Sequence, residues 1–454
     1  MKRGTKLAVM GSTLIALSVS MLTVSTPFIP SFDKQIPEPS KVANDGGRTE
    51  IAVAENTLLL REAEGAGWSP EDFANPLPSD DSYFPIGVWL ASVIEHSDVN
   101  LDIETGLNTY VDLTANSDLQ LALNKGMYVI SSSGSELAHG LVLPDEADMW
   151  GGPGDGEWTG NYPGQGPICV NTEESCGYSV IGKIASAAPE QQLLYANFGK
   201  GVTFWADNHS AARFVNEYPD IVSADNYWFT DPNICSATEG GTKFSPAREP
   251  TASECRNAAN YGWTVDRLQS LVSPIGSKPV WSFIEVGHPA SEVDAPTITP
   301  DEIVKATWSS IVHGARGIIY FNHSFNGACP SHNVMRSCGE EPRATLTSLN
   351  SSITSMAKVL NAPEVAAGVD VHGQVDYAVK YLNQKIHVLV THSADGNGEF
   401  QVSVPCANGN QVTRKDTGEK LTVSNASFSD KLAVETPIAI YAIDAKNCET
   451  VAQN

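Results

Sequence analysis

The chain has 454 residues, in which 53 acids outnumber 28 Lys and Arg to leave a formal charge of −25. Hydrophobic residues make up 41% and charged ones 18%, enough apolar content for large buried cores and too little charge for a disordered chain. The scarcity of bases excludes a phosphate-binding surface for nucleic acid and an anionic-membrane surface, and leaves neutral partners such as sugars open.

Lys2, Arg3 and Lys6 precede an uncharged run from Leu7 to Ile29. This pattern is expected of an export signal over residues 1–29, with an uncleaved N-terminal anchor as the alternative. Residues 30–81 are rich in Pro, Ser, Asp and Glu and read as a linker with one short helical patch near Asn56 to Glu64. Eight cysteines agree with export, and no CxxC or regular Cys/His spacing suggests a metal site. Pairing neighbours in order (Cys169 with Cys176, Cys235 with Cys255, Cys329 with Cys338, Cys406 with Cys448) closes four local loops, although sequence does not fix connectivity.

From Phe84 the texture changes to short apolar runs. They are FPIGVWL, TYVDLT, MYVISSS, GLVLPDE, LLYANF, IVSADNYWF, PVWSFIEVG and GIIYFNHS, and most are separated by amphipathic stretches. The last such stretch opens with Thr299 as cap and Pro300 at the first helical position and closes at Gly314. Eight buried strands alternating with helices predict a closed (β/α)8 barrel over residues 82–362, with only the third connection short of a helix. From residue 363 to 454 the runs DYAVKYL, KIHVLVTH, EFQVSVP and PIAIYAI, with turns at Asp395-Gly396 and Asn408-Gly409, predict a small antiparallel β-sandwich.

Barrel active sites lie at the carboxyl ends of the strands. There the fourth run carries Asp145 and Glu146, the sixth Asp225, Asn226, Tyr227 and Trp228, the seventh Glu285, and the eighth Asn322 and His323. Two carboxylates facing one another across a barrel mouth suit glycoside cleavage, one donating a proton and one attacking or activating water. A strand-end carboxylate that caps a helix or pairs with a base is the structural alternative for each.

With acids at the ends of runs four and seven, the chain resembles the clan A glycoside hydrolases. The resemblance covers the barrel and implies Glu146 as acid/base and Glu285 as nucleophile of a retaining double displacement, with Tyr227 beside the nucleophile. Many members carry Asn before the acid/base; Asp145 stands there in this chain. Trp228, Asn322, His323 and Trp89 are candidate sugar contacts, as are Trp150 and Trp158 in the Gly-rich stretch from Trp150 to Tyr178. Core packing is the alternative for the tryptophans, including Trp205 and Trp281, and a structural role for the histidines. No cofactor or resident metal is expected, and the expected partner is a carbohydrate. Two rivals stand beside this reading: a metal-dependent barrel enzyme using Glu146, Asp225 and Asp207, and a secreted carbohydrate-binding protein without turnover.

Overall fold

A computed structural model describes Ala54 and residues 56–63, 69–149 and 177–453. The export-signal reading, the Cys169–Cys176 pairing and the candidates Trp150 and Trp158 lie outside the described residues.

All eight apolar runs are parallel strands: β1 (Ile86–Ala91), β2 (Thr109–Leu113), β3 (Tyr128–Ile130), β4 (Gly140–Val142), β5 (Leu193–Phe198), β6 (Ile221–Ala224), β7 (Ser282–Glu285) and β8 (Ile318–Phe321). They pair in the spatial order β6-β5-β4-β3-β2-β1-β8-β7. The ring closes between β6 and the start of β7, where Trp281 N–H donates to Val222 O at 2.8 Å beside a parallel bridge from Val222 to Val280. Alternation along each strand sends Trp89, Val111, Ile130, Val142, Tyr195, Trp281, Phe283 and Ile319 into a packed interior. The opposite faces meet the helices in the larger outer core.

Those helices are α1 (His96–Glu104), α2 (Leu119–Asn124), α3 (Gly177–Ala187), α4 (Asn208–Glu217), α5 (Ala259–Leu271), α6 (Pro300–Val312) and α7 (Glu340–Leu360). The connection from β3 to β4 has none. In α6 the Thr299 side chain accepts from Glu302 N–H at 3.3 Å, and the Glu302 carboxylate accepts from Thr299 N–H at 2.8 Å. This reciprocal cap, with Pro300 at the first position, starts the helix where its sequence indicates.

Two parts of the expected linker are structural elements. Leu77, 2% exposed, packs into the barrel interior, and Tyr83 Oη bonds Thr109 Oγ1 at 2.9 Å, so residues 70–84 stopper the amino-terminal end of the barrel. Burying one leucine in this way is worth about 1.5–3 kcal/mol. The expected helical patch is instead a strand, Thr57–Arg61. Its run of three leucines puts Leu58 and Leu59 into a buried sheet, and burial there outweighs the helix propensity of leucine.

That strand joins the carboxyl-terminal strands β9 (Glu364–Ala367), β10 (Asp370–Gly373), β11 (Val375–Leu382), β12 (Lys385–His392), β13 (Glu399–Ser403), β14 (Gln411–Arg414), β15 (Lys420–Thr422), β16 (Ser427–Lys431), β17 (Ala439–Asp444) and β18 (Glu449–Ala452). One sheet runs β15-β14-β17-β12-β11-β9, then Thr57–Arg61, then β18; the other runs β10-β13-β16. Pairing is antiparallel except where Thr57–Arg61 lies parallel to β18. Leu58, Val388, Val390, Phe400, Val402 and Tyr441 are among the residues filling the space between the sheets. Disulfides join Cys235 to Cys255, Cys329 to Cys338 and Cys406 to Cys448. Among the described residues no helix is long and apolar enough to cross a membrane.

Candidate active site

The carboxyl ends of β4, β5 and β6 bring four acids together. On β5, Leu193 and Tyr195 face the interior, and Asn197 falls on the same face two residues on. Its Nδ2 donates to Asp145 Oδ1 at 3.0 Å, and its Oδ1 accepts from Ser223 Oγ at 2.7 Å. Ser223 in turn accepts from Tyr195 Oη at 2.5 Å. This buried polar floor is fully hydrogen-bonded and fixes where Asp145 can point.

Glu146 follows with a positive φ of 46°, a conformation unfavourable for a side-chain-bearing residue. Its backbone N–H donates to Asn197 O at 3.1 Å, and its carbonyl accepts from Met149 N–H at 2.8 Å, so both neighbours hold the turn. Leu90 at φ 48° and Asp112 at φ 60° end β1 and β2 in the same left-handed region. Three of the strands thus end at this mouth in a left-handed conformation, the pattern of a site whose geometry the surrounding fold imposes. Gly199 permits the closest approach to the acid, since a Cβ there would come within 2.9 Å of Glu146 Oε1. Asp148, fully buried, accepts from Gly199 N–H at 2.9 Å and Val202 N–H at 2.7 Å and locks the β5 loop against the turn.

Asp225 reaches the cluster by the same alternation, two residues beyond the inward-facing Ser223. Its carboxyl lies next to that of Glu146, close enough for the charge of one to act on the other. Oδ2 also accepts from Tyr227 Oη at 3.1 Å, while Oδ1 is buried with no other donor among the described residues. Burial, with the charges of Asp145 and Asp148, pushes Glu146 up to about 8. Burial and the charge of Glu146 also push Asp225 well above the usual carboxylate range. Two such groups side by side oppose each other's ionisation. Lys200, ion-paired to Asp231 at 2.6 Å and Glu239 at 2.8 Å, lies near enough to oppose part of the rise in Glu146.

Glu285 is placed differently. It lies on the inward-facing register of β7, after Trp281 and Phe283, yet its carboxylate turns to the loop after β6 and to α5. It is fully buried and accepts from Phe229 N–H at 2.7 Å, Thr230 N–H at 3.0 Å and Tyr261 Oη at 2.5 Å. Burial raises it, and the donors from Thr230, Tyr261 and Phe229 hold it down. Three donors on two oxygens satisfy the group in the manner of an internal cap rather than of an open nucleophile.

The other candidates divide in the same way. Tyr227 is half-buried beside the carboxyl pair, its ring 5.0 Å from that of Phe321. Trp89, 5% exposed, packs inside the barrel against Phe283 and Tyr195. Trp228 is fully buried in the outer layer, where Nε1 donates to Thr264 Oγ1 at 2.9 Å and the ring meets Phe204 and Trp263 edge-on; it offers no face to a ligand. Asn322 is buried too, its side chain accepting from Met335 N–H at 2.9 Å. His323 is 6% exposed, with Nε2 3.3 Å from Leu90 O. Asp207 caps α4 at the surface, away from a role with Glu146 and Asp225. Among the described residues no group of three His, Cys, Asp or Glu side chains is arranged to hold a metal ion.

Compared with family models and with curated proteins, the chain matches none. Among solved structures it is similar to a protein titled glycoside hydrolase, at 11% identity and a TM-score of 0.48, over 86% of this chain and 97% of that one. It is also similar to a glycoside hydrolase family 5 protein from Bacteroides vulgatus ATCC 8482, at 11% identity and 0.47, over 83% and 92% of the two chains. A third similar structure is an alpha-amylase from Geobacillus thermoleovorans, at 9% and 0.45, over 81% and 99%. Likenesses this distant carry no argument about activity. The closed barrel and its mouth stand on their own geometry.

Proposed function

We propose that this chain is an exported glycoside hydrolase in which Glu146 and Asp225 are the working carboxyls. The arrangement that supports this most is the placing of Glu146 beside Asp225 at the carboxyl end of a β/α barrel, where burial and like charge raise both carboxyls, that of Glu146 to about 8. Glycoside hydrolysis needs one carboxyl protonated and one ionised at the same pH, and mutual repulsion supplies that division. Tyr227 Oη, donating to Asp225, favours the ionised form of Asp225.

In this mechanism Glu146 protonates the departing glycosidic oxygen and Asp225 attacks the anomeric carbon; Glu146 then takes a proton from the water that releases the sugar. Retaining pairs stand about 5–5.5 Å apart and inverting pairs about 6.5–9.5 Å. Adjacent carboxyls are nearer the retaining separation, which the entering sugar ring would set by parting the pair. Glu285 supports the site by anchoring the loop that carries Tyr227. Disulfides in three places and the basic, then apolar, amino terminus support an oxidising, extracytoplasmic setting.

The test is turnover of a panel of 4-nitrophenyl glycosides, followed by trapping with the 2-deoxy-2-fluoro analogue of whichever sugar reacts. A covalent label on the peptide containing Asp225 is the expected result. A label on Glu285 would restore that residue as nucleophile. A panel left untouched, with sugars bound but not cleaved, would favour the carbohydrate-binding reading.

A further inference from the structure

Resting on the glycoside hydrolase reading, we propose that Phe325 and His332 form a platform for a sugar ring beyond the bond that is cleaved, so that the substrate is a neutral chain rather than a single glycoside. The observation is a continuous aromatic path leading out of the carboxyl pair. Tyr227, bonded to Asp225, lies 5.0 Å from Phe321. Phe321 lies 6.2 Å from Phe325 and 5.0 Å from His323. Phe325 and His323 then meet His332 at 6.3 Å and 5.4 Å. His323 is buried and Tyr227 and Phe321 are half-buried, but Phe325 is 47% exposed and His332 is exposed. An isolated surface phenylalanine needs no explanation, but one that ends a line of rings starting at the catalytic mouth does.

The platform is also held rigid. Ser324 and Ser331 exchange backbone hydrogen bonds at 2.7 and 2.8 Å, closing the loop into a small hairpin. Cys329–Cys338 pins its far side, and Phe325 N–H donates to His288 O at 2.9 Å. Asn326 Nδ2 adds a bond to Ser291 O at 2.5 Å. His288 is itself fixed through Nδ1 to Thr297 Oγ1 at 2.7 Å and through Nε2 to Glu292 O at 2.9 Å. An exposed ring already fixed in place loses little freedom when a ligand covers it, so most of the stacking energy appears as affinity. The apolar face of a sugar ring fits a phenyl face, and the imidazole of His332 supplies a nitrogen for a hydroxyl. Among the described residues no Lys or Arg takes part in the path, which suits an uncharged glycan.

The experiment compares wild type, Phe325→Ala and Phe325→Tyr on the reactive 4-nitrophenyl monoglycoside and on longer oligosaccharides of the same sugar. The expected result is that Phe325→Ala lowers kcat/KM about tenfold or more on the oligosaccharides alone, the size of one lost stacking contact, and that Phe325→Tyr restores it. Unchanged monoglycoside turnover shows that the variant is folded. An equal effect of Phe325→Ala on both substrates, or none on either, overturns the platform while leaving the glycosidase reading intact. Failure of wild type to turn over any glycoside overturns that reading, and the platform with it.

Discussion

The carboxyl groups of Glu146 and Asp225 lie side by side at the mouth of the barrel, although they arrive from strands that are not neighbours in the sheet. β5 stands between β4 and β6, and Asn197 on β5 organises both sides, donating to Asp145 and accepting from Ser223.

Removing either member should abolish most turnover. Glu146→Gln is expected to lower kcat about 10²–10⁴-fold, the range for a lost proton-transfer group, and Asp225→Asn, which removes the nucleophile, at least as much, with little change in circular dichroism. Steady-state kinetics on the reactive glycoside check this. Near-wild-type activity in both variants would remove the pair from the mechanism.

The pH dependence follows from the rise in Glu146. As general acid it works only when protonated, so activity should fall as pH rises through about 8. Stability has the same direction. The folded state binds this proton more tightly than the unfolded chain does, so its contribution is fully present below the ordinary carboxylate range and is lost as pH climbs through about 8. Glu146→Gln should therefore raise the Tm at pH 8 and above while destroying activity. An unchanged Tm at that pH would mean that the carboxyl is not under the strain described.

Glu285 should behave as part of the framework. Glu285→Ala leaves Phe229 N–H, Thr230 N–H and Tyr261 Oη without their acceptor, and each buried orphan costs about 1–3 kcal/mol. Urea unfolding is expected to show that loss. Tyr261→Phe, which removes one donor from outside the mouth, should leave most of kcat in place. If Glu285→Gln silences the enzyme with no loss of stability, its role is chemical instead.

Arg336 is a second framework test. It bonds both oxygens of buried Asp102 at 2.9 and 2.6 Å and donates to Ser92 O at 2.6 Å, while Tyr110 Oη donates to the same aspartate at 2.7 Å. Arg336→Met leaves Asp102 charged and buried, which typically costs about 3–5 kcal/mol. Pairing it with Asp102→Leu should recover much of that loss, since an apolar pair of similar volume is tolerated there.

Disulfide Cys406–Cys448 closes 42 residues of the carboxyl-terminal sheets. Cys406→Ser with Cys448→Ser should cost about 4 kcal/mol of stability on the chain-entropy estimate, read by denaturant unfolding. Activity at low temperature should persist, because the pair lies far along the chain from the barrel mouth.

The sequence by itself determined the strands and most of the helices, because alternation between buried runs and amphipathic stretches is local and repeats eight times. It also determined that β4 and β6 end in acids, since a charged residue closing an apolar strand stands out. Three outcomes needed the tertiary structure. Glu285 has the right parity for the mouth, but Phe229, Thr230 and Tyr261 supply donors that draw it aside, and two of those are backbone groups that carry no residue-specific signal. Trp228 looks like a sugar contact beside Tyr227, yet both lie in the loop after β6, which turns Trp228 to pack against Trp263 in the outer layer. Leu58 to Leu60 has the composition of a helix and becomes a strand only because β9 and β18 present open edges to it. Local chemistry sets which side chains are available; which donors and edges reach them depends on segments far away in the chain, and only the folded packing brings those together.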